Sequence, residues 1–286
     1  MIFIGCKLDA NRLRPRWAID RIMLKDALIS LVAGSGYTIR RRVDDARIVK
    51  FLSLLHPVRT DISLQRFGGK GDGGYLVPDD LDGVRACFSP GVDVLATFES
   101  ELVSRGIPCY LADASVDQAP IQNSLIDFEK KYLGVVNDEL TTTLDEWVRR
   151  KIGTGDGDLL LQMDIEGHEW PVLLNTSNNL LTKFRIIVLE LHGVSRCIDE
   201  FALRIMDSCM RRLNELFHVV HVHPNNMIAP IRIGDFEIPD LLEVTLLRRD
   251  RAAALGPVTV FPHPLDHTCV PSLPDFALPA VLRGQV

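Results

Sequence analysis

Residues 158–170, DLLLQMDIEGHEW, constrain the fold of this chain more than any other stretch, because an apolar run breaks abruptly into three carboxylates, a glycine and an imidazole. A parallel strand covered by helices on both faces carries unbroken aliphatics, whereas a strand with one wet face alternates. Ligands of open α/β sheets collect where such strands end. Asp164, Glu166, His168 and Glu169 therefore fall where chemistry is expected, as one wall of a site. The competing reading is a solvated strand-to-helix turn in which Asp164 or Glu166 only caps the helix.

The 286 residues suffice for one large α/β domain with additions. Thirty-two basic against 38 acidic residues give a net charge of -6, and no basic tract exceeds Arg40–Arg42 or Arg149–Lys151, which argues against nucleic acid as a partner. No apolar run approaches the roughly 18 residues that cross a bilayer, so no membrane partner is expected. Met1–Ile4 is too short for a signal-peptide core, and the expected location is cytoplasmic. Cys6, Cys87, Cys109, Cys197, Cys209 and Cys269 form no C-x-x-C pair, as expected of reduced, buried thiols.

Helical spacing of apolar residues between Trp17 and Leu55, broken at Gly34–Gly36, predicts two helices ahead of the main domain. From Arg85 onward, short apolar runs alternate with amphipathic stretches, the pattern of a parallel sheet wrapped by helices. Strands are expected at 84–89, 108–112, 131–136, 159–163, 185–191, 217–222 and 242–248, with helices at 94–104 and 199–214. The link between the last two strands is too short for a crossover helix, so they should run antiparallel. The division expected is a helical extension over 1–60, a core over 61–250 and a proline-rich tail over 251–286 that packs on the surface or reaches a second subunit of a homo-oligomer.

Several residues stand where such a sheet would do chemistry. Gly91, in the turn Phe88–Asp93, lets a ligand approach the backbone; the absence of G-x-G-x-x-G weakens a nicotinamide dinucleotide reading. Asp113, after the second strand, is placed to accept both hydroxyls of a ribose, with an N-cap role as the alternative. Asp138 lies where an adenine amino group could bind or where a helix could start, and the second reading is preferred. Glu190 and His192 share a side at the end of the fifth strand and should converge on Asp164, making His192 the expected general base, oriented by a carboxylate. His218, His221 and His223 lack the closing ligands of a zinc site. A hard divalent ion such as magnesium, held by Asp164 and Glu190, is a minor alternative that is not favoured. The glycine-rich run 66–75 reads as a turn or as a lid offering Arg66, Lys70 or Asp72 to a ligand.

Taken in order, Arg66–Tyr75, Phe88–Gly91 with Phe98 and Glu99, Tyr110–Ser115, Thr143–Trp147, Met163–Trp170, Glu190–His192 and His221–Asn226 resemble the FkbM-type S-adenosylmethionine (SAM) methyltransferases over about residues 62–249. Ala112, Ala114 and Pro224 depart from that pattern. The resemblance implies a seven-stranded, mostly parallel Rossmann-like methyltransferase sheet ending in an antiparallel hairpin strand. It implies methyl transfer to a hydroxyl of a sugar or natural-product acceptor, activated by Asp164, His192 and Glu190. Cofactor contacts are expected from Asp72, Tyr75, Ser89, Gly91, Asp113, Ala114, Asp138 and Asp164, and acceptor contacts from Glu166, His168, His223 and Asn225. The rival readings are a non-catalytic scaffold on the same fold and a nicotinamide oxidoreductase.

Overall fold

The computed structural model describes residues 16–36, 41–92, 94–234 and 236–284. Met1–Ile4, Cys6, Arg40, Asp93 and Asp235 lie outside the described residues. The chain divides into two units, 1–42 and 43–286. The first contains a helix, Arg16–Gly34, with Met23, Leu24, Leu28 and Leu31 exposed. The division falls at 42/43 rather than near residue 60, because the helix Asp45–Leu52 buries Ile48, Phe51 and Leu52 in the core of the larger unit.

That unit is built on seven strands: β1 (Val84–Pro90), β2 (Cys109–Ala112), β3 (Ile126–Glu129), β4 (Asp158–Met163), β5 (Phe184–His192), β6 (Phe217–Pro224) and β7 (Leu241–Arg248). They lie in the order 6-7-5-4-1-2-3. The pairs β3–β2, β2–β1, β1–β4 and β4–β5 are parallel, whereas β7 runs antiparallel to both β5 and β6. This is the Rossmann-like arrangement expected, with the reversed strand set inside the edge rather than on it. A short hairpin, Ile231–Ile233 with Phe236–Ile238, sits between β6 and β7. The apolar runs are buried as their composition demands: every residue of β4 after Asp158 and every residue of β5 before His192 is buried.

The third strand of the sheet is not 131–136 but Ile126–Glu129. Tyr132–Gly134 pairs instead with Thr141–Thr143 in a separate two-stranded ladder. The physical reason is position: β3 is an edge strand with one neighbour, so its exposed Asp127 and partly exposed Glu129 give it no continuous apolar run. Helices α1 (Thr97–Ser104), α2 (Leu144–Ile152), α3 (Glu169–Asn175) and, after the short Asn178–Leu181 turn of helix, α4 (Glu200–Leu216) cover the sheet. Thr143 caps α2 by accepting from the Glu146 N–H, and Asp199 caps α4 by accepting from the Phe201 and Ala202 N–H groups. Phe88 is stacked on Tyr110 and met edge-on by Trp147, which joins β1, β2 and α2.

Charge is divided between the two ends of the sheet. At the amino end of β4, Asp158 accepts from Arg185 at 2.7 Å and from Arg248 at 2.6 Å. At the carboxyl end, Asp164, Glu166 and Glu190 have no guanidinium or ammonium ion-paired to them among the described residues. The tail after β7 folds back on the domain, and Leu278, Val281 and Leu282 enter the core.

Candidate active site

Two cavities meet at the carboxyl ends of β1 and β4. The larger, about 680 Å³, has Gly91, Asp113, Asp164, Glu166 and His168 on its polar side and Tyr132–Val136 on its apolar side. The smaller, about 70 Å³, shares Gly91 and Asp164 and is closed by Asp72, Gly73, Tyr75, Glu99 and Gln162. Gly91 is obligatory where they join: its φ is 80°, and a Cβ there would stand 1.5 Å from the Asp164 carbonyl oxygen.

Asp113 lines the larger cavity at the end of β2. One carboxylate oxygen accepts from the Val92 N–H at 3.1 Å, and the other from the Ser115 N–H and hydroxyl at 2.8 and 2.6 Å. These bonds fix the carboxylate at the cavity wall beside the glycine turn. In the smaller cavity, buried Ser89 touches Glu99 and Gln162, the latter at 2.5 Å. A hydroxyl has one proton and donates to only one of them, so a protonated Glu99 or a turned Gln162 amide must complete the trio. Burial raises the Glu99 pKa, which favours the protonated carboxyl.

His192 is the centre of the acidic end. Its Nδ1 meets Glu169 Oε1 at 3.1 Å, while its Nε2 faces Glu166 Oε2 at 3.4 Å and Asp164 Oδ1 at 3.9 Å. The orienting carboxylate, left unnamed by the sequence, is thus Glu169. Glu169 is fully buried, and the same oxygen accepts the Ile165 and Gly167 N–H groups at 2.9 and 3.2 Å. The ring is held from its backbone as well, since Trp170 Nε1–H donates to the His192 carbonyl at 2.8 Å. With Nδ1–H directed to Glu169, Nε2 is the nitrogen turned toward Asp164 and Glu166, which line the larger cavity, although His192 itself does not.

The electrostatics follow from this crowding. Burial lowers the His192 pKa, but the Glu169 hydrogen bond and the Glu169, Asp164 and Glu166 charges outweigh it, so the imidazole sits above its ordinary value. Burial pushes Asp164 up to about 7 against the pull of His192, with Glu166 and Glu169 adding to the rise. One Asp164 oxygen is buried without a hydrogen-bond partner. Glu190 is raised well above the carboxylate range by burial and then by Asp164 and Glu243. Glu166 adopts φ 55°, a left-handed conformation uncommon for a side-chain-bearing residue, and its carboxylate is 87% exposed.

The residues proposed from sequence fall into two groups. Gly91, Asp113, Asp164, Glu166 and His168 line the larger cavity, and Asp72 and Tyr75 the smaller. Ala112 lines the larger cavity but Ala114 does not. Ser89 is buried behind the smaller cavity wall. Asp138 stands apart on an exposed turn, where one oxygen accepts the Leu140 and Thr141 N–H groups at 2.9 and 2.7 Å. Asn225 is 1% exposed; its amide donates to Glu190 at 3.2 Å and its oxygen accepts from the Met227 N–H. His223 is buried beside Asp266, 3.4 Å away. Neither lines the crevice. Glu190 also meets the buried Tyr75 hydroxyl at 3.4 Å, which ties it to the glycine-rich run.

Asp164, Glu190 and His192 each present one donor atom, all within 4.8 Å of one another. Oxygen and imidazole donors suit a hard divalent cation, yet Glu190 already accepts two hydrogen bonds. Glu99, Gln162 and Glu169 were not singled out from sequence for these parts. Glu169 had a visible signal, its place five residues after Asp164 in the same acidic run, and Glu99 stood in a motif that carries the family resemblance.

Residues 93–227 match the family described as methyltransferase FkbM domain. Over this stretch the chain is similar to FkbM methyltransferase domains. The matched residues span Asp113 through His192 of the crevice, whereas the glycine-rich run, Gly91 and the tail lie outside the match. No curated protein matches the chain. Among the described residues no helix is long and apolar enough to cross a membrane.

Proposed function

We propose that the methyltransferase is SAM-dependent and methylates a hydroxyl oxygen of a small polyol acceptor, a sugar or a natural product. The observation that carries this reading is the Glu169–His192 pair, which leaves one imidazole nitrogen turned toward Asp164 and Glu166 on the wall of a cavity that Gly91 and Asp113 also line. The cofactor fits the residues present. Gly91 brings its turn to the junction of the two cavities, Asp113 stands where a ribose would present its hydroxyls, and Tyr132–Val136 form an apolar wall for a base. An excess of carboxylates around Asp164 suits a cationic sulfonium.

When bound, SAM supplies an electrophilic methyl carbon. The chain's own residues then align and deprotonate the acceptor. Neutral His192 takes the hydroxyl proton at Nε2, and Glu169 fixes the tautomer and stabilises the imidazolium that results. Asp164, beside Nε2, adds its negative charge once ionised. Exposed Glu166 and His168 offer polar contacts to the rest of the acceptor. A scaffold role on the same fold would not require a buried carboxylate to orient an imidazole. A nicotinamide cofactor would want more glycines in the turn after β1.

Thermal shift with SAM, S-adenosylhomocysteine (SAH), NAD and NADP, followed by transfer of labelled methyl from SAM to a panel of polyols, tests the reading. SAM and SAH should raise the melting temperature and the dinucleotides should not. Asp113→Ala should abolish SAM binding. His192→Ala should retain SAH binding and lose about 10²–10⁴ in turnover. Stabilisation by NAD alone, or full turnover in His192→Ala, would sink it.

A further inference from the structure

The segment after β7 is tied to the crevice through a chain of hydrogen bonds that begins on β6 and ends on the glycine-rich run. Asp266, 5% exposed at its side chain, lies between His221 Nε2 at 2.9 Å and His223 Nδ1 at 3.4 Å, and also accepts the His263 N–H at 2.7 Å. Asn226, 2% exposed, grips the same segment from the other side. Its amide reaches the carbonyls of Val270, Leu273 and Pro274 at 2.9, 3.3 and 3.2 Å, and its oxygen accepts the Val270 N–H at 2.8 Å. Between these anchors the Cys269 thiol donates to buried Glu243 at 2.9 Å.

From this anchored segment two bonds pass to residues 66–74. The Asp72 N–H donates to the Cys269 carbonyl at 3.1 Å. Arg66 donates to the Leu265 carbonyl at 3.5 Å while its other nitrogens hold the Gly69 and Gly71 carbonyls at 2.8 and 3.2 Å. The fit is tight: a Cβ on Gly71 would lie 3.3 Å from the Cys269 carbonyl, and one on Gly74 would lie 2.6 Å from the Arg66 guanidinium. Asp72, Gly73 and Tyr75 close the smaller cavity against Gly91 and Asp164. Between buried Phe67 and Tyr75 the glycines of this run give it little side-chain packing of its own, so its position depends on what holds it from outside: Glu101 accepts the Gly68 N–H at 3.0 Å, Thr97 donates to the Gly73 carbonyl at 3.4 Å, and the segment after β7 holds Asp72 and Arg66.

We propose that residues 263–274 are a strap that fixes the glycine-rich run against the cofactor crevice, with Asp266, Asn226 and Arg66 as positioning residues. Asp266 and Asn226 hold the strap to the end of β6, the Cys269 and Leu265 carbonyls hold the run to the strap, and the run closes the cavity. The strap is therefore part of the functional unit even though it lies beyond the stretch that matches the methyltransferase family. The consequence for cofactor affinity rests on the SAM reading of the crevice; the placement of the run does not.

Hydrogen exchange on the ligand-free full chain tests the placement. In Asn226→Ala, and in the milder Asp266→Asn, amides of residues 68–75 should exchange at least ~10-fold faster while those of β4 and β5 keep the parent's protection. Asp199→Ala, which weakens a helix cap away from the strap, serves as a control for general destabilisation. Calorimetry with SAH should then show affinity about 10-fold weaker in the two strap variants. A double-mutant cycle of Asn226→Ala with Arg66→Ala should be non-additive, because both act through one run. Unchanged exchange over 68–75, or acceleration of the run and the sheet together, overturns the proposal. So does a loosened run with SAH affinity equal to the parent's. A parent that fails to bind SAH would count against the SAM reading alone, and the exchange result would still decide the strap.

Discussion

Gly91 shows how one residue type can be dictated from two directions. Its backbone takes a positive φ that side-chain-bearing residues rarely adopt, and the Asp164 carbonyl occupies the place of its Cβ. Gly91→Ala should therefore push β1 and β4 apart, lower stability by several kcal/mol and remove SAM binding, as urea denaturation and calorimetry would show. Glu169 acts on the neighbouring wall through His192. The raised imidazole must be neutral to accept a proton, so turnover should fall as pH drops through the His192 pKa. Glu169→Gln removes the charge that supports the imidazolium. The acid limb of the pH–rate profile should then move to lower pH while the plateau falls, and an unshifted limb would count against the pair. Residue identity was legible where backbone and charge agree, as at Gly91, Asp113 and Asp164. Asp138 stayed open in the sequence because an acid before Thr141 serves a local backbone role as well as it serves a ligand; its carboxylate is engaged by two backbone N–H groups.

Elements were legible in proportion to their burial. β4 and β5 are apolar throughout because helices cover both faces, and their ends were placed to within one residue. β3 is an edge strand, and a nearby apolar run, Tyr132–Gly134, looked more strand-like than it did. Helix starts carry their own local chemistry. Thr143→Ala removes the hydroxyl that accepts the Glu146 N–H, so it should lower stability by about 1 kcal/mol in urea titration. SAH affinity should stay at the parent's value. The reversed strand β7 belongs to the same scale: its antiparallel pairing followed from the short connection after β6, but its place inside the edge did not, because strand order is set by which faces pack together.

At the scale of the molecule, the sheet separates arginines at its amino edge from carboxylates at its carboxyl edge. Burial is the first cause that pushes both Asp164 and Glu243 up to about 7. Between the ordinary carboxyl values near 4 and about 7 the folded chain holds protons that the unfolded chain has released, so stability should fall as pH rises through that window. Each group contributes at most about 1.4 kcal/mol per pH unit while it differs between the states. Melting temperatures between pH 5 and 8 should decline, and Glu243→Gln should flatten the decline; an equal slope in that variant would show that Glu243 titrates normally.

The order of apolar and polar residues determined, without coordinates, that the chain builds a helix-covered parallel sheet, that its last strands pair antiparallel, and that Gly91, Asp113, Asp164 and His192 gather at one edge. Those are consequences of local periodicity and of strand direction, which neighbouring residues specify. Tertiary structure alone decided that Glu169 rather than Glu190 orients His192, that His223 and Asn225 turn inward, and that residues 263–274 reach the glycine-rich run. Each depends on side chains far apart in sequence meeting at angstrom distances, and no spacing along the chain encodes such a meeting.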